Sequence, residues 1–197
     1  MGRIFSMVGT VSVLMVLIAG WGVYWLAATE LETAKQSSIN AVSRGVSLGI
    51  STQIRQLSLF LDNMAQSDEL INAIEQGDSI RLEQVTDRFE KFLPKARKIR
   101  VLLPNTIALD QTEEPYLGYA DLDMVKETFK KNQIPMIQGN KGPNRHLAIA
   151  RGVKKEDRVI AVILASLKYD FLRQSLRSSN FDSGLIELKQ NKLVLAS

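Results

Sequence analysis

The chain has 197 residues, no cysteine, one histidine and a formal charge of +4 from 25 basic and 21 acidic side chains. Without cysteine no disulfide can form and a lipid-modified lipoprotein is excluded, so hydrophobic packing must hold any folded part. The modest charge, with acids and bases interspersed, argues against a nucleic-acid partner.

The first element is an uncharged run from Ile4 to Ala28. At about 1.5 Å per residue it is long enough for the roughly 20 apolar residues that a transmembrane helix needs. Trp21, Tyr24 and Trp25 gather at one end, where aromatic rings favour the membrane interface. Arg3 precedes the run and Glu30 and Glu32 follow it, so the positive-inside rule puts residues 1–3 in the cytoplasm and the rest outside. The expected localisation is a bacterial inner membrane, single-pass, with a periplasmic main domain. A cleavable signal peptide is the rival reading. Its apolar region is about 7 to 15 residues and ends in an A-x-A-like site, whereas here the run is longer and cleavage after Ala28 would set Leu26 where a small residue is wanted.

From Leu31 to Met64 apolar residues recur at steps of three and four: Ile39, Val42, Val46, Ile50, Ile54, Leu57, Leu61 and Met64. This spacing predicts a stalk helix over 29–66, its stripe packed on its own domain or on the same helix of a second copy. Gly45 and Gly49 weaken it by about 1 kcal/mol each and invite a bend. Ser67, Asp68 and Glu69 read as a helix start ended by Gly77, and Asp78 caps a further helix that Pro94 stops.

The second half changes character. Ile99 to Leu103 reads as a strand, a polar loop passes through Pro104, Asn105, Asp110 and Pro115, and Asp121 to Lys131 reads as a helix. Gln133 to Gln138 is a short strand. His146–Val153 and Arg158–Leu167 form a hairpin around the charged turn Lys154 to Asp157. VIAVILASL is apolar at nearly every position, as in a strand covered on both faces. Tyr169 to Arg177 makes a helix, and Leu185–Leu188 with Leu193–Leu195 a last hairpin. The expected class is α+β: a transmembrane helix, a stalk and short helices, then a mixed, mainly antiparallel sheet over 67–197.

A membrane helix leading into a long helix and a sheet of this order resembles the extracytoplasmic PAS-like sensor domains called Cache domains. IRVLLPNTIALDQTEEPYLGYADLDMVKETFKK and RHLAIARGVKKEDRVIAVILASL are also similar to the membrane-anchored N-terminal region of long bacterial phosphomannomutase/phosphoglucomutase proteins. The resemblance implies a regulatory or anchoring region of a larger protein. The chain lacks that family's phosphorylatable serine beside a histidine, its aspartate-rich metal loop and its sugar loop, so no mutase chemistry is expected of these residues.

His146, the only histidine, shares a strand face with Ala148 and Ala150, which leave room above the sheet. A small anionic ligand there would meet His146, with Arg151 or Arg100 pairing its carboxylate or phosphate. Tyr116 and Tyr119 flank Gly118 in the preceding loop and offer a pocket wall. The blander readings are a histidine bonded within the fold and tyrosines that anchor a loop. Asp110, Glu113, Glu114, Asp121 and Asp123 form an acidic cluster without calcium-loop spacing, better read as capping and solvated loop. Lys91, Lys95, Arg97, Lys98 and Arg100 form a basic cluster that suits an anionic partner or a solvated face. One histidine and no cysteine make zinc improbable, and no catalytic residue, metal or cofactor is expected. The expected partners are the lipid bilayer, the small anion and a second copy through the stalk, with no nucleic acid.

Overall fold

The computed structural model describes the backbone of every residue except 1, 106, 132, 134, 140–141, 143, 178–186, 191–192 and 197, and the side chains of those residues other than 2–14, 190 and 193–196. The first helix, α1 (Gly2–Ala65), runs unbroken through Gly45 and Gly49. The chain divides into two compact units, residues 1–47 and 48–197.

Among the described residues no helix is long and apolar enough to cross a membrane. This corrects the expected transmembrane helix over 4–28, and with it the single-pass, inner-membrane localisation. The apolar stretch whose side chains are described runs from Met15 to Ala28, with Glu30, Glu32 and Lys35 following on the same helix.

The second unit begins within α1. Ile50, Leu57, Leu61, Met64 and Ala65 are buried there, so this part of the predicted stripe packs on its own domain. Next come α2 (Asp68–Gln76) and α3 (Ser79–Phe92). Gly77 adopts φ +62°, the left-handed end that only glycine takes without strain, and the Asp78 carboxylate accepts the Arg81 N–H at 3.0 Å. Ser67 precedes α2, but its hydroxyl makes no capping bond.

Four strands follow: β1 (Ala96–Leu102), β2 (Met136–Gln138), β3 (His146–Lys155) and β4 (Arg158–Leu167). They form one sheet in the order β1-β4-β3-β2, antiparallel at every described pairing rather than mixed. The β3–β4 turn has two residues, Glu156 and Asp157, both at positive φ (48° and 63°), the geometry that matches strand twist in a tight hairpin. The helix α4 (Tyr119–Thr128) lies between β1 and β2 in sequence, and α5 (Asp170–Arg177) follows β4. A separate pair, β5 (Leu188–Gln190) and β6 (Leu193–Ala196), ends the chain. The expected strand start at Leu185 lies outside the described residues.

Strand alternation sorts the sheet into two faces. Ala148, Ala150, Val162, Leu164 and Leu102 share one face and join Leu117, Leu122, Met124 and Val125 in one apolar cluster, so α4 and the loop before it cover this side. Ile149, Arg151, Val153, Ile163, Ala165 and Ile99 point the other way, toward the side where α2 and α3 contact the sheet and Arg151 meets Asp62 of α1. From Ala161 to Leu167 every residue of β4 is buried, as a strand covered on both sides requires.

Candidate functional site

The covered face holds a buried polar knot where α4, the turn before β3 and the first residue of β3 meet. His146 Nδ1 lies 2.8 Å from the Asn144 carbonyl oxygen and Nε2 lies 3.1 Å from Asp121 Oδ1. A carbonyl only accepts, so Nδ1 carries a proton and donates. The second contact also needs a proton, held either on an imidazolium facing a carboxylate or on a carboxylic acid facing a neutral ring. Both states leave the pair with no net charge, which suits side chains only 1% and 3% exposed.

The sequence places these groups by local rules. Asp121 is the third residue of α4, and its Oδ2 accepts the N–H of Gly118, the residue before the helix, at 3.2 Å. Glycine has no side chain to cap the helix in return, so Asp121 supplies that end's polar contact. Asn144 works twice, its carbonyl on His146 and its side-chain Oδ1 accepting the Tyr116 N–H at 3.3 Å. Gly139 makes room for Asn144: at φ +79° it is left-handed, and a Cβ there would collide with the Asn144 carbonyl. Sequence reasoning missed Asp121 as the histidine's partner and missed Asn144 and Gly139. The glycine in a short loop was the one available signal.

The loop of residues 103–118 is tied down by charge. Arg100 is 10% exposed in its side chain, lies 3.6 Å from Asp110 Oδ2, and donates through Nη2 to the Glu113 carbonyl at 3.2 Å. Lys98, on the same face, meets Glu113 Oε2 at 2.8 Å. Residues of the basic and acidic clusters therefore neutralise each other. Hydrogen bonds from the Thr112 hydroxyl and N–H, with the nearby Arg100 guanidinium, hold the Asp110 carboxyl below the usual carboxylate range. The Lys98 hydrogen bond and charge do the same for Glu113, and the Glu113 bond raises Lys98 in return.

These positions divide the expected ligand set. His146 and Arg100 lie on one face, but both ring nitrogens of His146 are engaged within the fold, and Arg100 is occupied by the loop. The small residues Ala148 and Ala150 make room for α4 rather than for a ligand. Arg151 is an odd number of residues from His146 on an unbroken stretch of ladder and so points to the opposite face. There its Nε lies 2.8 Å from Asp62 Oδ1. This is an ion pair without an aligned hydrogen bond, because the Nε–H finds no acceptor in bonding geometry among the described residues. The Arg151 Nη1 donates to the carbonyls of Ala150 (2.8 Å) and Gln133 (3.3 Å). Tyr116 contributes a backbone bond and keeps an exposed ring, and Tyr119, at the start of α4, is 76% exposed. Neither ring is a buried pocket wall.

Open space lies elsewhere in this unit. An apolar cleft of about 350 Å³ between α1 and α3 is lined by Phe60, Asn63, Met64, Ser67, Phe89 and Phe92. Beside it, Gln53, Leu57, Phe60, Pro94 and Lys95 border a cleft of about 230 Å³. The Lys95 ammonium sits 4.3 Å from the Phe171 ring centroid, and partial burial lowers its pKa against the raising effect of Asp170.

The fold and the knot define an α+β domain whose antiparallel sheet carries helices on one face and a loop-and-helix cover on the other. The chain matches no protein-family model and no curated protein.

Proposed function

We propose that residues 48–197 form a PAS/Cache-like, ligand-binding regulatory domain of a larger protein, without chemistry of its own. The observation that carries this reading is the loop-and-helix cover of residues 103–128, packed on the sheet through Leu117, Leu122, Met124 and Val125 and pinned there by one buried knot and a few charged ties. Such a cover has a discrete attached arrangement, and a ligand that favours it or its release shifts the population in proportion to its differential affinity. The resemblance in element order supports the same reading. So does the engagement of His146, Asp121 and Arg100 in holding the fold rather than in an open reactive cluster.

The test is amide hydrogen exchange on the full chain, with and without a panel of small carboxylates, amino acids and sugar phosphates. A stabilising ligand should change exchange over residues 103–128 more than over β4. Gly139→Ala, which displaces Asn144, should raise exchange of the cover even without ligand. A panel with no stabilising compound, or hits that leave the cover untouched, would remove the proposal.

A further inference from the structure

The two clefts beside α1 form one groove. Gln53, Leu57, Phe60 and Met64 recur at steps of four, three and four, so they share one face of α1, and Phe60 borders both clefts. Phe89, Phe92 and Pro94, from the end of α3 and the turn after it, form the other side. The Phe92 ring is 66% exposed, an apolar surface that water covers unless an occupant does. Along α1 the shared face rises roughly 16 Å from Gln53 to Met64.

Charge enters this groove at one end only, because Lys95 is the one charged residue that lines it among the described residues. Its ammonium donates to Gln53 Oε1 at 3.3 Å, and Gln53 lines the same cleft, so the charge stands at the cleft wall. Its other neighbour is the Phe171 ring. Both partners are neutral. Among the described residues no carboxylate comes within ion-pair distance of Lys95, and Asp170 acts on it from farther off. Partial burial disfavours the charged form of this side chain, and an oxyanion beside the ammonium offsets the lost hydration.

An apolar groove with one uncompensated cation at its end suits a molecule with an apolar tail and an acidic head. An extended chain advances about 1.2 Å per bond, so a tail of about eight to ten carbons runs from Lys95 past Phe60 within the length of the groove. We propose that the groove between α1 and α3 binds a free medium-chain carboxylate, its head on Lys95 and its tail along Phe60, Phe89 and Phe92. The site belongs to the helices rather than to the cover of residues 103–128, and it stands whether or not the cover responds to a ligand.

Calorimetric titration of the full chain with octanoate, 1-octanol and acetate tests the site. Octanoate should bind saturably, octanol about fivefold more weakly, and acetate not at all over the same range. Lys95→Met keeps the apolar stem and removes the charge, so it should weaken octanoate about fivefold and leave octanol unchanged. Phe92→Ala, at an exposed position that folding tolerates, should weaken both about threefold or more. The proposal is overturned if octanoate does not saturate, if octanoate and octanol bind equally, or if Phe92→Ala binds octanoate as the native chain does. An equal loss of acid and alcohol binding in Lys95→Met would show that Lys95 holds the fold rather than the head, and overturns it as well.

Discussion

The two faces of the central sheet are built differently. On one, Ile99, Ile149, Val153 and Ile163 lie on the side of α2 and α3, and the main charged contact is the partly exposed Arg151–Asp62 pair. On the other, small residues admit the apolar side of α4, and the cover is in addition pinned by the buried His146–Asp121 pair and by Arg100 and Lys98 reaching the loop. Apolar contacts tolerate small shifts, because their energy follows buried area. A buried polar knot does not, since a broken bond leaves a desolvated group unpaired. The helical face is thus a foundation, and the cover face a cooperative attachment.

The largest effect should come from breaking the knot. His146→Ala leaves the Asp121 carboxyl buried without its partner and should cost roughly 3–5 kcal/mol, read as a lower midpoint in urea denaturation. Replacing both Asp121 and His146 by leucine should cost less than the single change, because no unpaired group remains. If the double variant is the less stable, the unpaired-group account of this face is wrong. On the helical face Ile163→Ala should cost about 3 kcal/mol through the cavity it leaves. Unlike His146→Ala, it should leave the exchange of residues 103–128 relative to β4 unchanged.

The ion pair of the helical face is weaker. Asp62→Ala removes a contact whose carboxylate is 35% exposed, and should cost about 1 kcal/mol. A loss as large as that of His146→Ala would erase the distinction between the faces. Acid separates them without mutation. Asp110 and Glu113 have lowered pKa values in the fold, so their stabilisation is present above the ordinary carboxylate range of about 4 and is lost as pH falls through the lowered values. The raised Lys98 contributes below its ordinary value and loses that contribution as strong alkali deprotonates it. Below about pH 4, amide exchange should therefore rise over residues 103–118 before it rises in β3 and β4. Simultaneous loosening would show that these ties do not hold the loop. The smallest effect belongs to the exposed Arg88–Glu69 pair, at 2.8 Å with side chains 50% and 36% exposed. Glu69→Gln should shift stability by less than about 0.5 kcal/mol.

Local rules made much of the fold legible. The two runs His146–Val153 and Arg158–Leu167 and the charged turn between them located the β3–β4 hairpin, Gly77 and Asp78 marked the boundary between α2 and α3, and the three-and-four spacing located the part of α1 that packs. The apolar N-terminal run misled, because composition over 4–28 suggested a span that no described helix provides. For the site, parity along β3 already separated His146 from Arg151. Grouping the two around one ligand overlooked an alternation that the sequence contains.

Sequence by itself determined the order of elements, the turn chemistry and the two-sided burial of β4, since each depends on residues a few positions apart. Only tertiary structure decided that His146 meets Asp121 across 25 positions, that Arg151 meets Asp62, and that Phe60, Phe92 and Lys95 border one groove. Those pairings depend on strand order and on which helix covers which face, and these are set when the whole chain minimises its exposed apolar surface and its unpaired buried polar groups.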